Sequence, residues 1–400
     1  MRNEGQTIQF QQTSTGVKDE LDSLLEGQLS SGAESAVARI EAPAEGFVYE
    51  HAVGIARADT GEAMTTNHRF HTASVSKSMT ALLVVQLAEE GALGPEGVDA
   101  RYVDFEVFPD EIQERLLTRD GEPVFADVTL RHMLSHTSGF RDAFVDDGSQ
   151  TAKELGRPAP GSIIGSDASR NFTAAWSPWL PDGDTTEVQG VINFYLSQPG
   201  MTEALAEAGL AFHYSDTAFV LLALLVERVT GESYHANLRD RIFTPCDLRD
   251  SYLAYRDDPP LGTRRQPESD VHAFGIPMLS SGKNLSFDWG GGGLVTTARD
   301  LVRFQRALAE HRPPGSGRIL SDMTAWTRPA GLAEPRTGVG LGLFRTRYPG
   351  GELWGHSGAW GAKMDCDQAA GIYFAGTVNQ AGAPAGWHHP LIARVANHLR

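Results

Sequence analysis

Apolar residues fill nearly every position from 79 to 88 (MTALLVVQLA), with only Thr80 and Gln86 interrupting them. A helix left with no polar stripe is buried on most sides, so this pattern predicts a core helix. Polar residues precede the run and Gly91 follows it, the residue that most readily leaves a helix in a left-handed conformation. The arrangement recurs at 217–229 (TAFVLLALLVERV), behind the polar triplet Tyr214, Ser215 and Asp216. An amphipathic helix is predicted over 17–28, with Leu21, Leu24 and Leu25 on one side, and a helix over 128–136 stopped by HTSGF. Further helices are predicted at 187–196, at 202–208, after an N-cap at Thr297, and at 390–399. Strands are predicted at 36–40 and 47–56, joined as a hairpin by EAPAEG, and at 338–347, 352–356 and 371–378. Residues 101–125 carry weaker signals of short helices and turns. Residues 141–190 are irregular, and a loop this long is commonly a lid, a binding loop or disordered; Trp176 and Trp179 favour a lid.

Strands at both ends with helices between them predict an α+β protein, with one antiparallel sheet built from both termini and flanked by helices. Residues 1–95 and 290–400 would form the sheet domain. A mainly helical domain, 96–289, would be inserted into it, with the possible lid at 141–190.

The chain has 400 residues, 41% of them hydrophobic and 21% charged, an ordinary globular composition. Its net charge of −17 argues against nucleic acid or an anionic membrane surface as a partner. The N-terminal segment lacks a signal-peptide core and no apolar run approaches a membrane span, so a cytoplasmic location is expected. Cys246 and Cys366 form neither a disulfide framework nor a zinc spacing. His132 and His136 are four apart, as metal ligands on a helix can be, but Met133 stands where a zinc protease needs glutamate and no third ligand follows. A structural role is expected for both, with no metal and no cofactor. The glycines at 290–293 lack the lysine and hydroxyl residue of a phosphate loop, which leaves close backbone packing as their role.

Candidate chemistry lies at the start of the first buried helix. Ser74 and Lys77, three residues apart, would share one helix face at the positive end of the dipole. A serine hydroxyl becomes nucleophilic when a neighbour takes its proton, and a lysine does so once burial or nearby charge keeps it partly neutral. With 26 serines and 5 lysines, chance supplies about 0.3 copies of S-x-x-K, and the chain has two. The second, Ser280 to Lys283, has no helix behind it.

Three ordered motifs carry a resemblance: A-S-V-S-K at 73–77, Y-S-D at 214–216 and H-S-G at 356–358. They resemble those of the serine beta-lactamase and penicillin-binding-protein superfamily, in its class C-like branch of esterases, D-aminopeptidases, D-amino-acid amidases and D-alanyl-D-alanine carboxypeptidases. LRHMLSHTSGF and GGGGLVTTARDLVRF extend the likeness over most of the chain from about residue 35. The resemblance implies a beta-lactamase/transpeptidase-like fold and a small-molecule amide or ester substrate. By it, Ser74 forms an acyl-enzyme while Lys77 and Tyr214 share the proton transfers. The backbone N–H groups of Ser74 and Ala359 form the oxyanion hole, and His356, Ser357, Gly358 and Trp360 contact substrate, with Trp289 and Trp354 as further candidates for an aromatic acyl pocket. His356 replaces a lysine common in the lactamases, a variant more typical of the esterase and D-aminopeptidase side. Asp216 replaces the usual asparagine: it would raise the pKa of Lys77 or attract a substrate ammonium, or else cap the following helix. The expected activity is hydrolysis of a small amide or ester, such as a D-amino-acid amide or short-chain ester. A carboxypeptidase or lactamase, and a catalytically silent ligand-binding relative, are the alternatives.

Overall fold

Strands from both ends of the chain join in one eight-stranded antiparallel sheet. The structure, a computed structural model, describes residues 4–166, 173–181, 188–258, 268–312, 315 and 317–400, with side chains from residue 16 onward. The N-terminal part supplies β1 (Ser35–Ala42), β2 (Phe47–Arg57) and β3 (Glu62–Ala63). The C-terminal part supplies β4 (Arg336–Val339), β5 (Phe344–Tyr348), β6 (Gly351–Ser357), β7 (Lys363–Asp367) and β8 (Ile372–Thr377). Their order across the sheet is β4-β5-β6-β7-β8-β1-β2-β3, and β1 meets β8 with Val37 opposite Thr377. The hairpin at EAPAEG forms as expected, from Ser35 opposite Gly54 to Ala42 opposite Phe47.

Each face of the sheet has its own core. One packs against α1 (Glu4–Ser30) and the C-terminal helix α5 (His389–Leu399) through Leu21, Leu25, Ile40, Leu353, Phe374 and Ile392. The other belongs to a larger core that contains α2 (Lys77–Glu89), α3 (Asp216–Thr230) and α4 (Ala298–Ala309). Every residue of α2 from Lys77 to Leu87 is buried. Its leucines and valines each contribute about 1.5–3 kcal/mol by leaving water. Its polar residues are tolerated there because they find partners: the Thr80 hydroxyl donates to the Gly290 carbonyl at 2.8 Å and Ser78 to that of Val75 at 2.7 Å. α2 and α3 pack together. Among the described residues, no helix is long and apolar enough to cross a membrane.

Several expectations need correction. The strand expected over 338–347 is two strands, β4 and β5, turned back on each other, and β7 was not expected at all. Residues 202–208 are not helical, because their backbone pairs outward: the Ala204 N–H donates to the Thr118 carbonyl at 2.8 Å and that of Leu205 to Gly139 at 3.0 Å. The helix near 128–136 is only Leu130–Leu134, begun by a capping box in which Thr129 accepts from the His132 N–H and His132 accepts from the Thr129 N–H. In the 141–190 segment, by contrast, Trp176 is buried, the observation expected of a lid, and its backbone N–H donates to the Ser286 hydroxyl at 2.8 Å. Residues 167–172 and 182–187 of that segment, including the start of the helix expected from 187, lie outside the described residues. The helix observed there is Val191–Ser197.

Candidate active site

A single turn of 3-10 helix, Ala73–Ser76, carries Ser74 into α2. Ala73 has a φ of 45°, a region non-glycine residues rarely occupy, so backbone strain is held immediately before the candidate nucleophile. Lys77 Nζ donates to Ser74 Oγ at 2.9 Å and to the Gly291 carbonyl at 2.6 Å, and it forms an ion pair with Asp216. The amine is fully buried. Burial draws its pKa down, but the charges of Asp216 and Tyr214 outweigh this and hold it above the ordinary lysine range.

Asp216 is not the cap of α3. Ser215 is, its hydroxyl accepting from the Ala218 N–H at 3.3 Å, which leaves the Asp216 carboxylate to Lys77. Behind it lies buried Asp142, whose carboxyl is pushed far above the usual range by burial, by Asp216 and by Asp146. Its Oδ2 is buried and makes no hydrogen bond among the described residues.

Tyr214 lies beside the amine, with Lys77 Nζ 5.0 Å from its ring centre. Among the described residues its buried hydroxyl makes no hydrogen bond of ordinary geometry, although Lys77 and Ser74 lie near enough to act on it. Burial raises its pKa to about 12, with Lys77 acting in the opposite sense. His136 stacks on Tyr214 with centroids 4.2 Å apart, and its Nδ1 accepts from the Ser215 N–H at 3.1 Å. On the other side is His356, 6.3 Å from Tyr214 between ring centres. Its Nδ1 lies 2.9 Å from the Ser357 carbonyl, which can only accept, so Nδ1 carries the proton and buried Nε2 holds a free lone pair. Burial, Lys77 and Arg336 keep both imidazoles well below the usual histidine pKa, and hence neutral at pH 7.

The third motif is pressed against the first. A Cβ on Gly358 would lie 2.0 Å from the Thr72 carbonyl, so only glycine allows β6 to end beside the Ser74 turn. The backbone N–H groups of Ser74 and Ala359 make no backbone hydrogen bond among the described residues. The glycine run at 290–293 packs closely as expected: a Cβ at Gly290 would sit 2.4 Å from that of Ala223 on α3. A pocket of about 450 Å³ opens beside Tyr214, His356 and Ser357, walled further by Phe212, Phe344, Arg336 and Lys363. Trp360 is not part of that wall. It is buried in the core with Trp289 and Trp354, so none of the three lines the pocket.

Thus Ser74, Lys77, Tyr214, Asp216 and His356 converge, with Ser357, Gly358 and Ala359 at their edge. His136, Asp142, Arg336, Phe344 and Lys363 were not foreseen here. His136 had drawn notice only for its spacing from His132 and within LRHMLSHTSGF, and Lys363 only as one of five lysines against 29 arginines. His132 serves as a helix cap, and no group of three or more His, Cys, Asp or Glu is placed to hold a metal among the described residues.

Comparison with known proteins identifies the family. The family model described as Beta-lactamase matches residues 21–397. The chain is 29% identical over 338 residues to Penicillin-binding protein 4 of Amycolatopsis lactamdurans, covering 80% of this chain and 74% of that one. It is 25% identical over 355 residues to Esterase EstB of Burkholderia gladioli, covering 84% and 77%. It spans about half the length of a penicillin-binding protein of Bacillus subtilis that it matches at 28% identity. Among solved structures, D-amino acid amidase from Ochrobactrum anthropi SV3 complexed with D-phenylalanine aligns with a TM-score of 0.70 at 21% identity, over 96% of this chain and 98% of that one. The family match runs through all three motifs, from Ser74 to Gly358, and the chain belongs to the beta-lactamase family.

Proposed function

We propose that this protein is a serine hydrolase that cleaves a small amide or ester through an acyl-enzyme on Ser74. The observation that carries the reading is the 2.9 Å hydrogen bond from buried Lys77 Nζ to Ser74 Oγ, beside the buried hydroxyl of Tyr214. Ser74 Oγ attacks the carbonyl carbon, and its proton passes into the Lys77–Tyr214 pair. The N–H groups of Ser74 and Ala359 receive the oxyanion. As the bond to the leaving group breaks, the pair returns a proton to that group; water then repeats the sequence on the acyl-enzyme. Both members of the pair are protonated at neutral pH, so the reactive form is the one that has lost a single proton shared between them. The Nε2 lone pair of His356 is positioned to accept a hydrogen bond from a substrate N–H or O–H.

Esterase EstB and the fold of D-amino acid amidase support short esters and D-amino-acid amides as the first substrates to test. The match to penicillin-binding proteins, at 29% and 28% identity, favours a carboxypeptidase or lactamase as the second reading. Intact-mass analysis after brief exposure to a fluorophosphonate tests the nucleophile. The expected result is one adduct, mapped to Ser74 and absent from Ser74→Ala, after which rates on esters, D-amino-acid amides and penicillins rank the substrates. A folded protein that takes no label would instead be a ligand-binding relative.

A further inference from the structure

In the reaction proposed above, the Tyr214 hydroxyl exchanges protons with its neighbours Lys77 and Ser74, so it cannot also serve as the anchor of its own side chain. The residue has to be held from behind, and one neighbour does so through three contacts. The N–H of His213 donates to the His136 carbonyl at 2.9 Å, and the N–H of Ser215 donates to His136 Nδ1 at 3.1 Å. Both main-chain donors flanking Tyr214 thus end on one residue, whose imidazole serves where a paired strand would offer a second carbonyl. The same ring stacks on that of Tyr214, with centroids 4.2 Å apart and planes 24° from parallel.

His136 is itself held in place. It is buried, and its ring lies 5.1 Å from that of Phe219 and 6.0 Å from that of Phe344 between ring centres. Because Nδ1 accepts, the imidazole proton sits on Nε2. Burial, and then Lys77, His356, Arg336 and His213, all oppose a second proton, which would turn Nδ1 into a donor against the Ser215 N–H. Locally the arrangement is unfavourable in two ways. His136 has a φ of 55°, a region that residues other than glycine rarely occupy, and its buried Nε2 makes no hydrogen bond among the described residues. Strain and an unpaired donor fall together on the residue that touches Tyr214, as they do where local stability is given up for geometry at a reacting group.

We propose that His136 is a positioning residue for the hydrolysis, which holds the Tyr214 hydroxyl in register with Ser74 and Lys77 while leaving it free to move protons. This rests on the hydrolase reading above. The His136 carbonyl and Nδ1 set the backbone on either side of Tyr214, and the ring sets the tilt of the phenol. His136 acts through Tyr214 and takes up no proton itself.

Two substitutions divide the contacts. His136→Phe keeps a ring and loses the acceptor; His136→Asn, at home at a positive φ, restores an acceptor near the Nδ1 position and gives up the ring. The second-order rate of fluorophosphonate labelling at Ser74, read by intact mass, reports on the nucleophile without waiting for deacylation. The expected result is a fall of about tenfold or more in His136→Phe, an effect within the range that a small misplacement of a reacting group produces. His136→Asn should recover most of it, and kcat/KM for 4-nitrophenyl butyrate should follow in parallel. Because His136 acts through Tyr214, adding His136→Phe to Tyr214→Phe should cost little more than Tyr214→Phe alone, whereas a purely structural role multiplies the two losses. Thermal melts record the folded fraction of each variant, and His136→Gly, unstrained at a φ of 55°, removes the acceptor if the phenylalanine variant does not fold. Wild-type labelling rates in His136→Phe and His136→Gly, or losses that multiply with that of Tyr214→Phe, would overturn the positioning role and leave the hydrolase standing. Wild-type protein that takes no label at Ser74 would overturn the hydrolase reading and this role with it.

Discussion

Lys77 and Lys363 are both buried, and their surroundings treat them in opposite ways. Lys77 has a carboxylate, a serine hydroxyl and a backbone carbonyl on its amine, and its pKa is raised. Lys363 is nearly as buried, but the nearest acid, Asp365, is engaged by His388; burial, with help from Arg336, draws its pKa down. Burial acts on both amines in the same direction, so the difference is the partner. A cation with its counter-charge built in holds the geometry of a reacting group.

The comparison breaks most visibly in stability. Lys77→Met strands Asp216 in the interior, and removing one partner of a buried ion pair costs about 3–5 kcal/mol. Lys363→Met removes a charge with no partner, and urea denaturation should show a change within about 1 kcal/mol in either direction. Comparable losses in both variants would mean that Lys363 has a structural partner after all.

A second change sharpens the Lys77 side. In Asp216→Asn the carboxylate that raises the lysine pKa is gone while the burial that lowers it remains. The ascending limb of kcat/KM against pH should therefore move to lower pH. An unmoved limb would detach Asp216 from the proton chemistry.

The smallest effect concerns His356. Its folded pKa lies below the ordinary 6.5, so the unfolded chain takes up the proton first as pH falls. The stability it contributes is complete above pH 6.5 and is lost as pH falls toward the folded value, at no more than about 1.4 kcal/mol per pH unit. His136 is depressed in the same sense. Relative to wild type, His356→Gln should show a shallower loss of denaturation midpoint between pH 6.5 and 5.

What the sequence made legible follows the same division. The helices at 77–89 and 216–230 were readable because burial on most sides leaves a nearly continuous apolar run, and the motifs at their starts located Ser74, Lys77, Tyr214 and Asp216. β7 was not readable. Its residues KMDCD are all buried, yet three of the five are charged, and they are tolerated only through the fold: Asp367 accepts from the Tyr348 hydroxyl at 2.6 Å and Asp365 has His388. The same holds for Asp142, whose carboxyl is pushed up by burial and by Asp216 and Asp146, surroundings that only the fold assembles. Arg336 looked like any of the arginines, since the Phe344 ring on which its guanidinium rests, 3.9 Å from the ring centre, is brought to it only by the fold.

The central claim is that Ser74 carries the acyl group. Rapid mixing with 4-nitrophenyl acetate, followed by acid quench and intact-mass measurement, tests it most directly. The account predicts a burst of nitrophenol and a protein heavier by one acetyl group, mapped to Ser74 and missing in Ser74→Ala. Turnover with the acetyl group on another residue, or with hydrolysis unaffected in Ser74→Ala, would contradict it.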